Sequence, residues 1–99
     1  MAKFDVYRLK QGGSYVLDCQ ADLLSDLNTR FVVPLLPISE APKPAMRLNP
    51  ILAVESERLV MVTQFAASVP TRELGDAVQS LASEQDVISA ALDMLTTGF

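Results

Sequence analysis

Residues 30–37 of the chain read RFVVPLLP, and this apolar stretch decides the fold class. A near-continuous apolar run of this kind predicts a strand that is covered on both faces. Pro34 cannot donate a hydrogen bond to a sheet ladder, so we expect a bulge at this residue or the start of an edge strand. The sequence on either side must therefore supply the other strands and a covering layer.

Two half-buried strands precede this stretch. KFDVYRL (residues 3–9) and YVLDCQA (residues 15–21) both alternate apolar and polar side chains, which is typical of strands with one covered face. Gly12 and Gly13 lie between them and allow the positive φ angles of a hairpin. Cys19 has no histidine or cationic pair nearby in the sequence, and we interpret it as a small core residue rather than a reactive thiol.

A loop and a second hairpin follow. PISEAPKPAMRLNP (residues 37–50) contains four prolines, which predicts an irregular connection. ILAVES (residues 51–56) and RLVMVTQ (residues 58–64) then predict two strands that turn near Ser56 and Glu57.

The strand pattern stops at FAASVP (residues 65–70), and the apolar spacing changes after Thr71. Leu74, Val78 and Leu81 lie at the spacing of a short helical turn, which Gly75 interrupts. These positions therefore predict helical structure after residue 71.

A firmer helix is predicted at the end of the chain. Ser83 with Asp86 three positions later resembles a capping box, and Gly98 is suited to ending a helix. An apolar stripe at helical spacing would pack onto the sheet; it comprises Val87, Ile88, Ala91, Leu92 and Leu95. The predicted class is α+β, an antiparallel sheet with one C-terminal helix in a single domain over residues 1–99.

Composition and charge limit the function. The chain has 99 residues, 8 Lys and Arg without a basic run, and a net charge of −4, which disfavours direct binding to nucleic acid. A single cysteine cannot form an internal disulfide, and no signal peptide or transmembrane span is evident, so we expect a soluble cytosolic protein. With no histidine, the usual zinc sites and Cys–His nucleophiles are excluded, and we expect neither a metal nor a cofactor. These features favour binding over catalysis.

Two short segments raise the question of a contact surface. DLLSDLN (residues 22–28) places large apolar side chains in a polar turn, where they could fold under the sheet or remain exposed to a partner. DMLTTGF (residues 93–99) ends in an aromatic residue. Phe99 could pack back onto Met94 as part of a helix cap, or it could project toward a partner.

Five segments in register resemble the CcdB toxin family over nearly the whole chain, from Phe4 to Phe99. They are YVLDCQADLL, RFVVPLLP, PILAV, MVTQFAASVP and the final helix ending in Thr-Gly-Phe. The resemblance implies a toxin of a bacterial toxin–antitoxin pair, with a small SH3-like antiparallel barrel, a C-terminal helix and a homodimeric assembly. It implies a protein inhibitor rather than an enzyme, which binds the A subunit of DNA gyrase and traps the gyrase–DNA cleavage complex. A CcdA-like antitoxin would neutralise it.

The resemblance also implies which residues contact gyrase. By position they are Leu23 and Leu24 in the turn after the second strand, and Asp93, Thr97, Gly98 and Phe99 at the end of the helix. Thr97 is a departure, because the best-known members have a tryptophan there that stacks on a gyrase arginine, and threonine has no π face.

Two alternatives remain at this point. A toxin endoribonuclease of the MazF type shares the fold but would need a basic groove for RNA, which scattered cations supply poorly. The other alternative is a relative that has lost its toxic activity and binds only its antitoxin.

Overall fold

The strand that contains RFVVPLLP lies at the centre of one antiparallel sheet. The computed structural model describes residues 1–99. The sheet has seven strands in the order β4-β5-β3-β2-β1-β7, and β6 also pairs with β3. The strands are β1 (Asp5–Leu9), β2 (Tyr15–Asp18), β3 (Thr29–Pro37), β4 (Ile51–Val54), β5 (Glu57–Met61), β6 (Ala67–Pro70) and β7 (Leu74–Ser80); the helix is α1 (Gln85–Thr97).

The sheet curls into a barrel-like shape because β3 pairs with a different strand along each half. Its first half pairs with β6 from Thr29 to Val32, and its second half pairs with β5 from Leu35 onward. Pro34 lies between these two ladders, where a missing N–H costs no ladder bond on that side. The register with β2 is regular through Pro34, so the predicted bulge is wrong, whereas the interruption of the ladder on the other side agrees with a residue that cannot donate.

A glutamine side chain connects the two end strands of the curled sheet. Gln79 on β7 donates from Nε2 to the Ala53 carbonyl at 3.1 Å and accepts from the Glu55 backbone N–H at 2.9 Å. These two bonds connect β7 to the β4–β5 hairpin, which lies at the opposite end of the strand order. The α+β class, the SH3-like antiparallel sheet and the C-terminal helix are confirmed.

The core has two parts on opposite faces of the central strands. The larger cluster includes Val6, Leu17 and Val33 from the sheet with Ile88 and Ala91 from α1. The smaller cluster is covered by the segment that runs from β6 to β7; it comprises Tyr7, Val16, Val32 and Leu74. The prediction that β3 is covered on both faces is thus confirmed.

Residues 67–70 and 74–80 form the strands β6 and β7, so the predicted end of the strand pattern at residues 65–70 and the predicted helical turn after Thr71 are wrong. Against β1, β7 carries register shifts, with Leu74 opposite Leu9, Ala77 opposite Tyr7 and Gln79 opposite Val6. Each shift inserts an extra residue and destroys the period-two alternation, so the apolar spacing imitates a helix.

Gly75 lies in this irregular stretch for a steric reason. A Cβ atom on Gly75 would come within 2.9 Å of the Arg8 carbonyl oxygen. Gly75 does not interrupt a helix, as the spacing predicted, but allows a close approach between two strands.

The predicted capping box is also wrong. A 3₁₀ turn, Ala82–Glu84, precedes α1, and the helix begins at Gln85 without a side-chain cap. Ser83 lies within that turn, while the Ser80 hydroxyl oxygen accepts from the Ala82 N–H at 3.2 Å. Within the predicted stripe, Ile88 and Ala91 are fully buried, whereas Val87 and Leu95 are each 43% exposed.

The predicted turns and connections agree better with the structure. Gly12 and Gly13 have positive φ angles in the first hairpin, and the second hairpin turns at Glu55 and Ser56, one residue earlier than predicted. Two consecutive residues with positive φ form the tight turn that suits a right-handed twisted hairpin. The proline-rich connection between β3 and β4 is irregular, as expected. The helix α1 has 13 residues, and no helix is long and apolar enough to cross a membrane.

Candidate partner-binding surfaces

The turn between β2 and β3 exposes its leucines. We call residues 21–27 the leucine turn; within it, Asp22–Leu24 form a 3₁₀ turn without buried residues. Leu23 is 92% exposed, while Leu24 and Leu27 are 48% and 50% exposed. The leucines therefore do not fold under the sheet, and that alternative is wrong. A nearly fully exposed leucine on an ordered turn is the kind of apolar surface that contacts a partner.

The leucine turn is held at its base by a buried glutamine. Gln20 is only 8% exposed, and its Nε2 donates to the Leu24 carbonyl at 2.9 Å. Its Oε1 accepts from the Phe31 backbone N–H at 2.9 Å, which ties the turn to β3. On the other side of the turn, the Asp22 carboxylate accepts from the Lys3 backbone N–H at 2.8 Å. The turn is thus connected to the N-terminal segment and to β3.

A buried ion pair lies beneath Gln20. Asp18 and Arg30 both have fully buried side chains, and the Arg30 guanidinium donates to the Asp18 carboxylate through Nε and Nη2. The second Asp18 oxygen accepts from the Gln20 backbone N–H at 3.0 Å, so the pair also orients the glutamine. Arg30 Nη1 is buried without a hydrogen-bond partner. Burying charge is tolerable only with such pairing, so these residues are strongly dependent on one another.

Two titratable groups near the base of the turn have raised pKa values. Burial, assisted by the Asp5 and Asp18 carboxylates, raises the pKa of Tyr7 above its ordinary value. Burial, with a smaller contribution from Asp18, raises the pKa of the Cys19 thiol to about 12. Since a thiolate is the reactive form, Cys19 is inert at neutral pH, and its prediction as a core residue is confirmed by its 6% exposure.

The end of α1 projects away from the core. We call residues 93–99 the helix end; Asp93, Thr97, Gly98 and Phe99 are all exposed, with Phe99 at 78%. Gly98 has φ +83°, and its N–H donates to the carbonyls of Asp93 and Met94, both at 3.2 Å. The glycine ends the helix as predicted. Phe99 does not pack into the core.

The Thr97 side chain is directed back along its own helix. Its hydroxyl donates to the Asp93 carbonyl at 2.8 Å. This bond satisfies the side chain within the helix and leaves Phe99 as the large apolar group at this end of the molecule.

The leucine turn and the helix end belong to different elements of the fold. No hydrogen bond joins one to the other; the turn is bonded to β3 and the N-terminal segment, and the helix end is bonded to itself. The structure exposes every residue that the sequence singled out: Leu23 and Leu24 in the leucine turn, and Asp93, Thr97, Gly98 and Phe99 at the helix end.

Sequence reasoning missed other exposed apolar side chains. Phe65, in the 3₁₀ turn Thr63–Phe65 beside α1, is 52% exposed, and Phe31 on β3 is 36% exposed. Met46 in the loop before β4 is 89% exposed. Phe31 is the first apolar residue of the run that forms the buried strand β3, so no local signal distinguishes it. No group of three or more carboxylate or thiol side chains is placed to hold a metal ion.

Comparison with known proteins identifies the family. A sequence model described as "CcdB protein" matches residues 3–98. The chain belongs to the CcdB family. Membership makes it a toxin of a toxin–antitoxin system, and the resemblance noted in the sequence is confirmed.

A solved structure supports the fold independently. The chain is similar to a protein described as an endoribonuclease in complex with its cognate antitoxin from Mycobacterial species, with a TM-score of 0.80 and 15% identity. The alignment covers 100% of this chain and 98% of that chain. At this identity the likeness concerns the fold alone.

Proposed function

We propose that this CcdB-family toxin binds the A subunit of DNA gyrase and traps the gyrase–DNA cleavage complex, acting in the bacterial cytoplasm as a protein inhibitor without a catalytic step of its own. The leucine turn supplies Leu23 and Leu24, and the helix end supplies Asp93, Thr97, Gly98 and Phe99. Such a role suits a plasmid-maintenance system, in which loss of the antitoxin frees the toxin.

One observation carries the proposal. Leu23 and Phe99 are 92% and 78% exposed, in a chain that has a core of 13 buried apolar residues. Aromatic residues are enriched among those that contribute most to protein–protein binding, and exposed aliphatic residues add apolar surface that a partner can bury. Both occupy positions at which the family resemblance implies gyrase contacts.

The departure at Thr97 changes how the helix end would bind. Threonine offers no face for stacking on an arginine, and its hydroxyl is already bonded to the Asp93 carbonyl. Phe99 is the aromatic group at this end, and it takes the anchoring role that the tryptophan has in other members.

The proposed regulator is a CcdA-like antitoxin. The net charge of −4 favours a partner segment with basic residues. The similar Mycobacterial endoribonuclease is described as bound to its cognate antitoxin, which supports this kind of partner for a protein of the same fold.

Gyrase and RNA assays separate the proposal from its alternatives. Purified protein added to gyrase, ATP and supercoiled plasmid should accumulate linear DNA after detergent and protease treatment, and should leave a labelled cellular RNA intact. RNA fragments without cleaved plasmid would identify an endoribonuclease. A protein that yields neither cleaved plasmid nor RNA fragments but still binds the antitoxin would be a relative that retains only the antitoxin interaction.

The active assembly is proposed to be a symmetric dimer. Val87, Leu95 and Phe65 leave apolar surface uncovered on and beside α1, and isologous pairing is the commonest way to cover such a surface. Sedimentation equilibrium at micromolar concentration should give about twice the chain mass of 10.8 kDa. A monomer at that concentration would contradict the two-fold assembly.

A further inference from the structure

Gln20 occupies an unusual place between the core and the leucine turn. It is 8% exposed, yet both ends of its amide are bonded to backbone groups of other segments. Nε2 donates to the Leu24 carbonyl, within the turn, and Oε1 accepts from the Phe31 N–H, on β3. A buried amide that bonds two backbone groups fixes the distance between them: without it the Phe31 N–H would be left unpaired, and the Leu24 carbonyl would keep only its bond from the Leu27 N–H.

The glutamine is itself fixed from below. Its backbone N–H donates to Asp18 Oδ1, and the other oxygen of Asp18 is bonded to Arg30. We call the two hydrogen bonds of the Gln20 side-chain amide the amide clamp. Arg30 and Phe31 are consecutive on β3, so the ion pair and the amide clamp hold the same point of that strand. The chain of contacts runs from Arg30 through Asp18 and Gln20 to the carbonyl of Leu24.

We infer that Gln20 is a positioning residue for partner binding: its amide clamp holds Leu23 and Leu24 in the shape in which they meet the partner. This inference rests on the proposed function. Gln20 itself is too buried to contact a partner, and it acts through the turn. A turn that is already ordered loses less conformational entropy on binding than a mobile one.

The structure also supplies a matched control. Gln79 makes the same two kinds of bond to the β4–β5 hairpin, donating to the Ala53 carbonyl and accepting from the Glu55 N–H. Replacing either glutamine by glutamate keeps the acceptor and the side-chain length but removes the donor and sets a carboxylate against a carbonyl. The two variants therefore differ in which turn is released, and also in burial, since Gln20 is buried and Gln79 is half-buried.

The first measurement is binding to immobilised gyrase A subunit, with full-length wild-type protein, Gln20→Glu and Gln79→Glu. We expect Gln20→Glu to weaken binding about tenfold, mainly through faster dissociation, and Gln79→Glu to change it less than about twofold. Affinity of Gln20→Glu equal to wild type, or equal losses in both variants, would overturn the inference.

A double-mutant cycle separates positioning from a general loss of structure. In a Leu23→Ala background there is less side chain to position, so we expect Gln20→Glu to weaken gyrase binding further by less than about threefold. A loss as large as in the wild-type background would mean that the glutamate acts on the fold as a whole, and the inference would fail.

Hydrogen exchange tests the clamp without gyrase. Gln20→Glu should accelerate exchange of the Leu24, Ser25 and Leu27 amides, which are bonded within the turn, while the amides of β5 remain protected. Unchanged exchange in the turn would refute the clamp. If instead Leu23→Ala alone binds gyrase as tightly as wild type, the proposed function of the turn fails, and the exchange result still decides whether Gln20 holds it.

Discussion

The leucine turn and the helix end expose apolar side chains to a similar degree, but their backbones are attached to the rest of the molecule differently. Leu23 is 92% exposed and Phe99 is 78% exposed. The turn is bonded to buried Gln20 and to the Lys3 backbone, whereas the hydrogen bonds of the helix end run back only to its own helix. Side-chain exposure by itself therefore does not describe a contact surface, because two equally exposed side chains can stand on backbones that are attached to the fold to different degrees.

The difference has a consequence for binding. A clamped turn presents a shape that a partner must match, while a helix end that extends beyond the last buried residue, Ala91, can adjust as it docks. We expect substitutions beneath the turn to affect folding and binding together, and substitutions at the helix end to affect binding with only a small effect on stability.

The largest expected effect comes from Arg30→Met, which leaves the fully buried Asp18 carboxylate without its partner. The free energy of unfolding, measured by urea denaturation, should fall by about 3–5 kcal/mol. The double variant Asp18→Asn with Arg30→Met should recover part of that loss, because no uncompensated charge remains. A single variant as stable as wild type would show that the base of the turn does not depend on this pair.

Removal of Gly98 and Phe99 should have a small effect on stability and a large effect on gyrase trapping. Because Phe99 is 78% exposed, we expect the free energy of unfolding to fall by less than about 1 kcal/mol. Gyrase trapping should be abolished at the concentrations at which the wild-type protein acts. Any remaining trapping should need at least about a hundredfold more protein, which corresponds to a loss of roughly 2.7 kcal/mol of binding free energy. A protein that ends at Thr97 and still traps gyrase at full strength would remove the helix end from the proposed contact surface.

Leu23→Ala should weaken gyrase binding about tenfold, without a change in the unfolding midpoint, since the side chain has almost no contacts to lose. Met46→Ala is the matched control, because Met46 is 89% exposed in the loop before β4 and lies on neither surface. Equal affinities of the two variants, measured by surface plasmon resonance, would contradict a specific role for the turn.

The smallest expected effect compares two glycines that have the same positive φ angle. Gly12 and Gly98 both have φ +83°, and a Cβ atom at either would meet nothing within 4 Å. Gly12→Ala should cost about 1 kcal/mol of unfolding free energy, because the first hairpin cannot avoid the strain. Gly98→Ala should cost less, since the last turn of α1 can fray, and the two thermal melts should differ accordingly. An equal cost would mean that the helix end is as firmly fixed as a hairpin.

Local pattern was sufficient for the strands up to β5, the loop after β3 and the end of α1, because alternation, proline content and Gly98 each act over a few residues. It failed for β6 and β7. There the register shifts opposite Tyr7 and Val6 depend on a strand far away in the sequence, so the segment's own spacing is misleading.

The sequence by itself determined the α+β class, the family and the positions at which apolar residues interrupt polar segments, since these follow from composition and order along the chain. Tertiary structure alone decided that Leu23 and Phe99 face outward and that Gln20 is buried beneath the turn. An apolar residue in a polar turn has the same local sequence whether it folds inward or projects. The choice depends on long-range pairing, here the Asp18–Arg30 contact and the bonds of Gln20, which only the folded chain brings together.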